Sequence, residues 1–213
     1  DQEGIVTPEI SSFNKKSMRL NSSHKLSKLI SLSQTLGYSH QKMLNIGNTN
    51  AEQGGPLSSA LHLNPTTPLV ETDPAKISSI PYIDDEGNLR DDVIKDENGN
   101  PYGISTLVQN NMTNPLAYIK TRLGNYNWSD DFVGNATLEI TPIEGLKVRS
   151  TLGAKLSYWG TESFTPMYYL NGDNVNDKNS ISRNTNKNFG WNVENTISYT
   201  KLINDHDITL LVG

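Results

Sequence analysis

Any chemistry in this chain has to come from a small set of side chains. There is no cysteine, which removes thiol catalysis, disulfide frameworks and Cys-ligated zinc together. The four histidines stand at 24, 40, 62 and 206, and no two have the close spacing by which a helix presents a metal-binding pair. Asp96, Asn98 and Asn100 match the opening of an EF-hand loop, but the sixth place holds Pro101 and the twelfth Leu107, where glycine and glutamate are needed. The other Asp and Glu residues cluster in turn tips, where solvation is the usual reason for them. No pair is set up like the carboxylates of a glycosidase, which sit ~5–10 Å apart in a cleft, and no Ser-His-Asp arrangement can be assembled. The expectation is a chain with no catalytic residue, no metal and no cofactor.

What remains is aromatic. Trp159, Tyr168 and Tyr169 lie in a stretch rich in Gly, Asn and Asp. Aromatics in such a setting can stack on sugar faces, and they can equally fill the loop's own small core. They are the candidate substrate-binding residues. A formal net charge of −5 gives no nucleic-acid footprint.

The elements that must position these residues show as a two-residue period. Over 132–158, Ala136, Leu138 and Ile140 alternate with Thr137, Glu139 and Thr141. After a Pro142-Ile143-Glu144-Gly145 turn, Leu146, Val148, Leu152, Ala154 and Leu156 alternate with Lys147, Arg149, Thr151 and Lys155. If Ile140 pairs with Leu146, Leu138 faces Val148 and Glu139 faces Lys147. A helix is excluded by Pro142 and Gly145. Each arm is near the ~9–11 residues with which a tilted strand crosses a bilayer, although alternation alone suits a half-buried soluble sheet as well.

Two more hairpins flank this one. Upstream, Met18 and Leu20 lead to a turn at Asn21–Lys25, and Ile30, Leu32, Leu36 and Tyr38 form the return strand. Downstream, Trp191, Val193, Ile197 and Tyr199 turn at Asn204–Asp205 into Ile208, Leu210 and Val212. A two-residue turn pairs Ile203 with His206, Tyr199 with Leu210 and Ile197 with Val212, leaving Asn195 as the misfit on the apolar face. The hairpins therefore occupy about 15–43, 132–158 and 189–213, with long loops at 44–131 and 159–188. Residues 1–16 are polar and turn-rich, with Gly4 and Pro8. Within the first long loop, Pro56 opens one or two helical turns to His62, and Asp84–Asn88 and Asp96–Pro101 read as hairpin tips.

No apolar run approaches the ~20 residues of a transmembrane helix, so a helical membrane protein is excluded. Short turns at one end of the strands and long loops at the other are instead the asymmetry of outer-membrane barrels. The expected fold is all-β: antiparallel hairpins forming part of a transmembrane β-barrel wall, with long extracellular loops. The chain starts and stops inside structure, as an excised piece of something larger would.

Several runs carry a family resemblance: Gly37-Tyr38-Ser39-His40, Gly55 to Leu61, Asn114-Pro115-Leu116-Ala117, the strand-turn-strand Ala136 to Gly153, and Trp191 to Tyr199 with His206-Asp207-Ile208. In this order they resemble the SusC/RagA-type TonB-dependent transporters of Bacteroidetes. The resemblance implies a barrel of about 22 strands around an N-terminal plug, of which 1–213 would be a middle slice of the wall. It also implies a cell outer-membrane location and import of oligosaccharides or peptides. Its implied partners are outer-membrane lipid, a SusD-like surface lipoprotein and TonB, the last two engaged through parts of the protein outside this slice. The competing expectation is a soluble secreted carbohydrate-binding β-sandwich in which Trp159, Tyr168 and Tyr169 make the sugar platform.

Overall fold

A computed structural model describes residues 2–3, 10–44, 55–107 and 112–213. The turns expected at Gly4 and Pro8, and the parts of the first long loop at 45–54 and 108–111, lie outside the described residues. The chain is all-β, with strands β1 (Gln2–Glu3), β2 (Ser12–Lys25), β3 (Ile30–Leu44), β4 (Tyr126–Ile143), β5 (Leu146–Thr165), β6 (Tyr168–Asn171), β7 (Asn174–Asn176), β8 (Ser180–Ile203) and β9 (His206–Val212). Among the described residues three short helices interrupt them: α1 (Pro56–His62), α2 (Pro74–Ile77) and α3 (Pro115–Lys120). One sheet has the order β1-β2-β3-β4-β5-β8-β9, and β6 and β7 pair separately. The residues divide into two compact units, one of 1–13, 43–127 and 161–184, the other of 14–42, 128–160 and 185–213.

The second unit is the hairpin sheet. Its β8–β9 register is the expected one: Ile203 opposite His206, Tyr199 opposite Leu210 and Ile197 opposite Val212. Asn204 takes φ 52° in the turn, a left-handed conformation that Asn tolerates better than most residues.

The β4–β5 register differs from the expected one by two residues. Thr137 Oγ1 lies 3.0 Å from Thr151 Oγ1, Arg149 donates to Glu139 at 2.8 Å, and Ser157 donates to Asp131 at 2.6 Å. That spacing sets Ile140 opposite Val148, and Glu139 pairs with Arg149 rather than Lys147. The cause is the turn. Gly145 sits at φ +85°, the glycine position of a three-residue hairpin loop closed by a bulge, so the loop is 143–145 and Pro142, rather than Ile140, comes opposite Leu146.

The first turn also moves. β2 runs through Asn21-Ser22-Ser23 to Lys25, and the chain reverses at Leu26–Leu29, where Ser27 Oγ accepts from the backbone N–H groups of Leu29 and Ile30 at 3.1 Å each. A serine hydroxyl that stands in for a backbone acceptor makes a tight turn without glycine.

The first unit has a core of its own. Every buried hydrophobic side chain among the described residues belongs to it: Ile10, Tyr82, Val93, Tyr102, Ala117, Ile119, Tyr168 and Leu170. Tyr102, Ala117, Tyr168 and Leu170 form one cluster, with Val70, Ile94, Leu116 and Tyr118 packed on it. α1 starts at Pro56 as expected. Both expected hairpin tips form, closed by bridges between Ile83 and Leu89 and between Lys95 and Pro101. The stretch 159–188 is more strand than loop, since β5 continues to Thr165 and β8 begins at Ser180.

Candidate functional site

Each unit carries one candidate surface. In the sheet unit the surface is a face. Cross-strand contacts fix which residues share it: Tyr38 and Phe132 rings lie 4.8 Å apart between β3 and β4, and His40 Nδ1 lies 2.9 Å from Asp130 Oδ1. Between β5 and β8, Thr200 N–H donates to Gly145 O at 2.9 Å and Lys187 lies over the Tyr158 ring at 5.7 Å. Both contacts have the same offset, which sets Leu152 opposite Val193 and Val148 opposite Ile197. Leu36, Phe132, Leu138, Leu152, Trp191 and Leu210 therefore point the same way on five consecutive strands.

That face is uncovered. Leu138 is 38% exposed, Leu152 52%, Leu210 66% and Trp191 68%. A groove of about 400 Å³ runs along it where the small residues Gly134, Ala136 and Ala154 lie among Leu36, Phe132 and Leu156. The misfit Asn195 falls opposite Ser150, so the two polar residues share one level of the face. Along β4 the apolar residues extend from Phe132 to Ile140 and along β5 from Leu146 to Leu156, each close to the ~9–11 residues that cross a bilayer at a tilt. Toward the other end of the strands the same face turns polar, at Asp130, His40 and Tyr158. The opposite face carries Thr137, Glu139, Arg149, Thr151 and the hydrogen-bonded Asp131–Ser157 pair.

The three aromatics singled out in the sequence are placed differently from one another. Trp159 is on β5, in the sheet unit, at a position that alternation assigns to the polar face, and it is exposed. Tyr168 and Tyr169 belong to the other unit, on β6. Tyr168 is 7% exposed, in the core cluster. Tyr169 is half-buried, held by its N–H donating to Asp92 O at 2.7 Å and by a bridge with Val93. Arg90 lies over the Tyr169 ring at 4.2 Å, while Arg122 lies 5.1 Å from the Tyr118 ring and 5.9 Å from that of Tyr168. The sequence offered no signal for either arginine, because stacking on an aromatic leaves no spacing pattern.

Asn114 organises this unit. Its Oδ1 accepts from the N–H groups of Leu116 and Ala117, capping α3, and its Nδ2 donates to Leu69 O at 2.9 Å and to Gly103 O at 3.3 Å. One buried side chain thus starts a helix and ties two distant backbone segments to it. The Asp96 tip is turn chemistry: Asp96 Oδ1 accepts from the N–H groups of Asn98 and Asn100 at 2.9 and 2.8 Å. These hydrogen bonds, the one from Asn100 foremost, hold its carboxyl below the ordinary range. Burial pushes the Tyr82 phenol up, and its oxygen accepts from Ile104 N–H at 2.9 Å. Among the described residues no group of three or more His, Asp or Glu could hold a metal ion.

A sheet of paired hairpins with an uncovered apolar face, joined by a folded connection, is the architecture of part of a β-barrel wall. Among solved structures the chain is similar to the RagAB peptide transporter, at 17% identity and a TM-score of 0.58. It is likewise similar to the RagAB peptide importer in its open-open state, at 18% and 0.60, and in its closed-closed state, at 20% and 0.53. Each likeness covers 95% of this chain and 20% of the other, so the chain spans about a fifth of the length of the proteins it matches. No family model and no curated protein matches the sequence.

Proposed function

We propose that residues 1–213 are part of the barrel wall, with external connections, of a TonB-dependent importer of the SusC/RagA type in a cell outer membrane. The observation that carries this reading is the uncovered apolar face running across β3, β4, β5, β8 and β9. Side chains such as Leu138, Leu152 and Leu210 lose stabilisation in water and regain it against acyl chains. A sandwich module would bury them under a second sheet, and they are exposed. The likeness to RagAB chains supports the same fold. On this reading the cargo is an oligosaccharide or a peptide, the latter favoured by what those neighbours carry. A SusD-like lipoprotein and TonB act through parts of the protein beyond this stretch.

Within the reading, Trp159 faces the barrel interior, where cargo passes, and Tyr168 shapes the external unit from within its core. Single cysteines at Glu144, in the tight β4–β5 turn, and at Gly172, between β6 and β7, test the topology, in a protein from which any cysteine outside residues 1–213 has been replaced. In the full-length protein a membrane-impermeant maleimide applied to intact cells labels Gly172→Cys and spares Glu144→Cys. Equal labelling of both overturns the reading.

A further inference from the structure

We infer that Arg90, laid on Tyr169, is a carboxylate-recognition site of the external unit. This rests on the importer reading and names the chemistry that such a site takes from the cargo. The guanidinium lies 4.2 Å from the Tyr169 ring centre, and Arg90 is half-buried. Its Nε is buried with no hydrogen-bond partner, and among the described residues Arg90 enters no ion pair. That combination is unusual for a charge partly withdrawn from water, because a guanidinium carries five donors and is normally met by carboxylates or carbonyls.

The surroundings hold the group in place without satisfying it. Arg90 N–H donates to Tyr82 O at 2.9 Å, which anchors the backbone, and Tyr169 is anchored in turn through Asp92 O and Val93. The contact with the ring restrains the side chain, and since Nε alone of the guanidinium nitrogens is buried without a partner, the two terminal Nη groups remain to meet a carboxylate end-on through two hydrogen bonds. A neutral sugar would not need it. Two sources can supply the carboxylate: the free C-terminus of a peptide, and the uronate of an acidic oligosaccharide.

The test uses the full-length transporter in detergent and two matched ligand pairs read by calorimetry: an octapeptide with a free or an amidated C-terminus, and tetragalacturonate or maltotetraose. One pair separates by about 10- to 100-fold in Kd, the range of a charge-assisted pair, and Arg90→Gln abolishes the separation. A separated peptide pair assigns the source as peptide, and a separated sugar pair as uronate. If Arg90→Gln does not fold, Arg90→Lys, which keeps charge and stem but loses the fork, decides. A loss of about tenfold in the separation supports the site, and an unchanged separation overturns it. If neither pair separates, or the separation survives Arg90→Gln, the site is overturned. Should that happen in a protein that passes the Glu144 and Gly172 labelling test, the importer reading stands without it.

Discussion

Thr137 and Thr151 face each other across β4 and β5 with their hydroxyl oxygens 3.0 Å apart, on the face opposite to Leu138 and Leu152. Adjacent residues on one strand therefore meet different surroundings. In the full-length barrel, arginine at Leu138 or Leu152 costs about 2–4 kcal/mol near the bilayer midplane, whereas arginine at Thr137 or Thr151 costs much less. Urea unfolding of the four variants in lipid vesicles reads the difference. Equal losses in both pairs would mean that protein, and not lipid, covers the apolar side.

The Glu139–Arg149 pair gives a test of register. Both groups are partly solvated, with side-chain exposures of 25% and 57%, so each single neutralisation costs only about 0.2–1 kcal/mol. Exchanging the two, Glu139→Arg with Arg149→Glu, restores most of that. Exchanging Glu139 with Lys147 does not, and a full recovery there would return the hairpin to the two-residue-shifted pairing.

This hairpin also shows what alternation can and cannot say. A shift of two residues leaves every side chain on its own face, so the faces were legible in the sequence while the pairing was not. Only the positive φ of Gly145 in its three-residue loop decides it. β8 and β9 were fully legible because a two-residue turn at Asn204–Asp205 leaves no such freedom. The Asn21-Ser22-Ser23 run reads as a turn because its residues are common in turns, yet it lies within β2. The stretches Thr161–Thr165 and Ser180–Asn188 read as loop because strands polar on both faces lose the hydrophobic period. The core of the first unit was illegible for another reason. Tyr102, Ala117, Tyr168 and Leu170 come from segments too short and too far apart for any periodicity. The Asn-Pro pair at 114–115 does signal a helix start, but nothing in it announces the bonds to Leu69 and Gly103.

Asn114→Ala removes a helix cap and leaves two backbone carbonyls without their donor. Together these cost about 2–4 kcal/mol within the first unit. Asn114→Asp keeps the cap but sets a buried carboxylate oxygen against the Leu69 and Gly103 carbonyls, so it costs at least as much. Hydrogen exchange at the Leu116 and Ala117 amides measures both variants. Exchange unchanged in Asn114→Ala would remove Asn114 from the centre of this unit.

The Asp96 tip depends on pH in a defined direction. Its folded pKa is depressed, so the stabilisation it gives is present above the unfolded carboxyl value and is lost as pH falls through the folded one. A spin label at Glu97 becomes more mobile as pH drops through that acidic range. In Asp96→Asn, which keeps an acceptor but has no titrating group, the mobility stays flat. A matching acid transition in Asp96→Asn would assign the change to another group.

On the barrel-wall reading, the even-numbered side chains of β5 meet lipid and the odd-numbered ones meet water. Spin labels placed singly from Leu146 to Leu156 in the full-length protein, reconstituted in vesicles, measure this through collisions with oxygen and with a water-soluble nickel complex. Oxygen collisions should peak at 146, 148, 150, 152, 154 and 156, and nickel collisions at the positions between them. The same low oxygen accessibility at even and odd positions, with no two-residue period, would mean a sheet buried in protein and would overturn the barrel-wall reading.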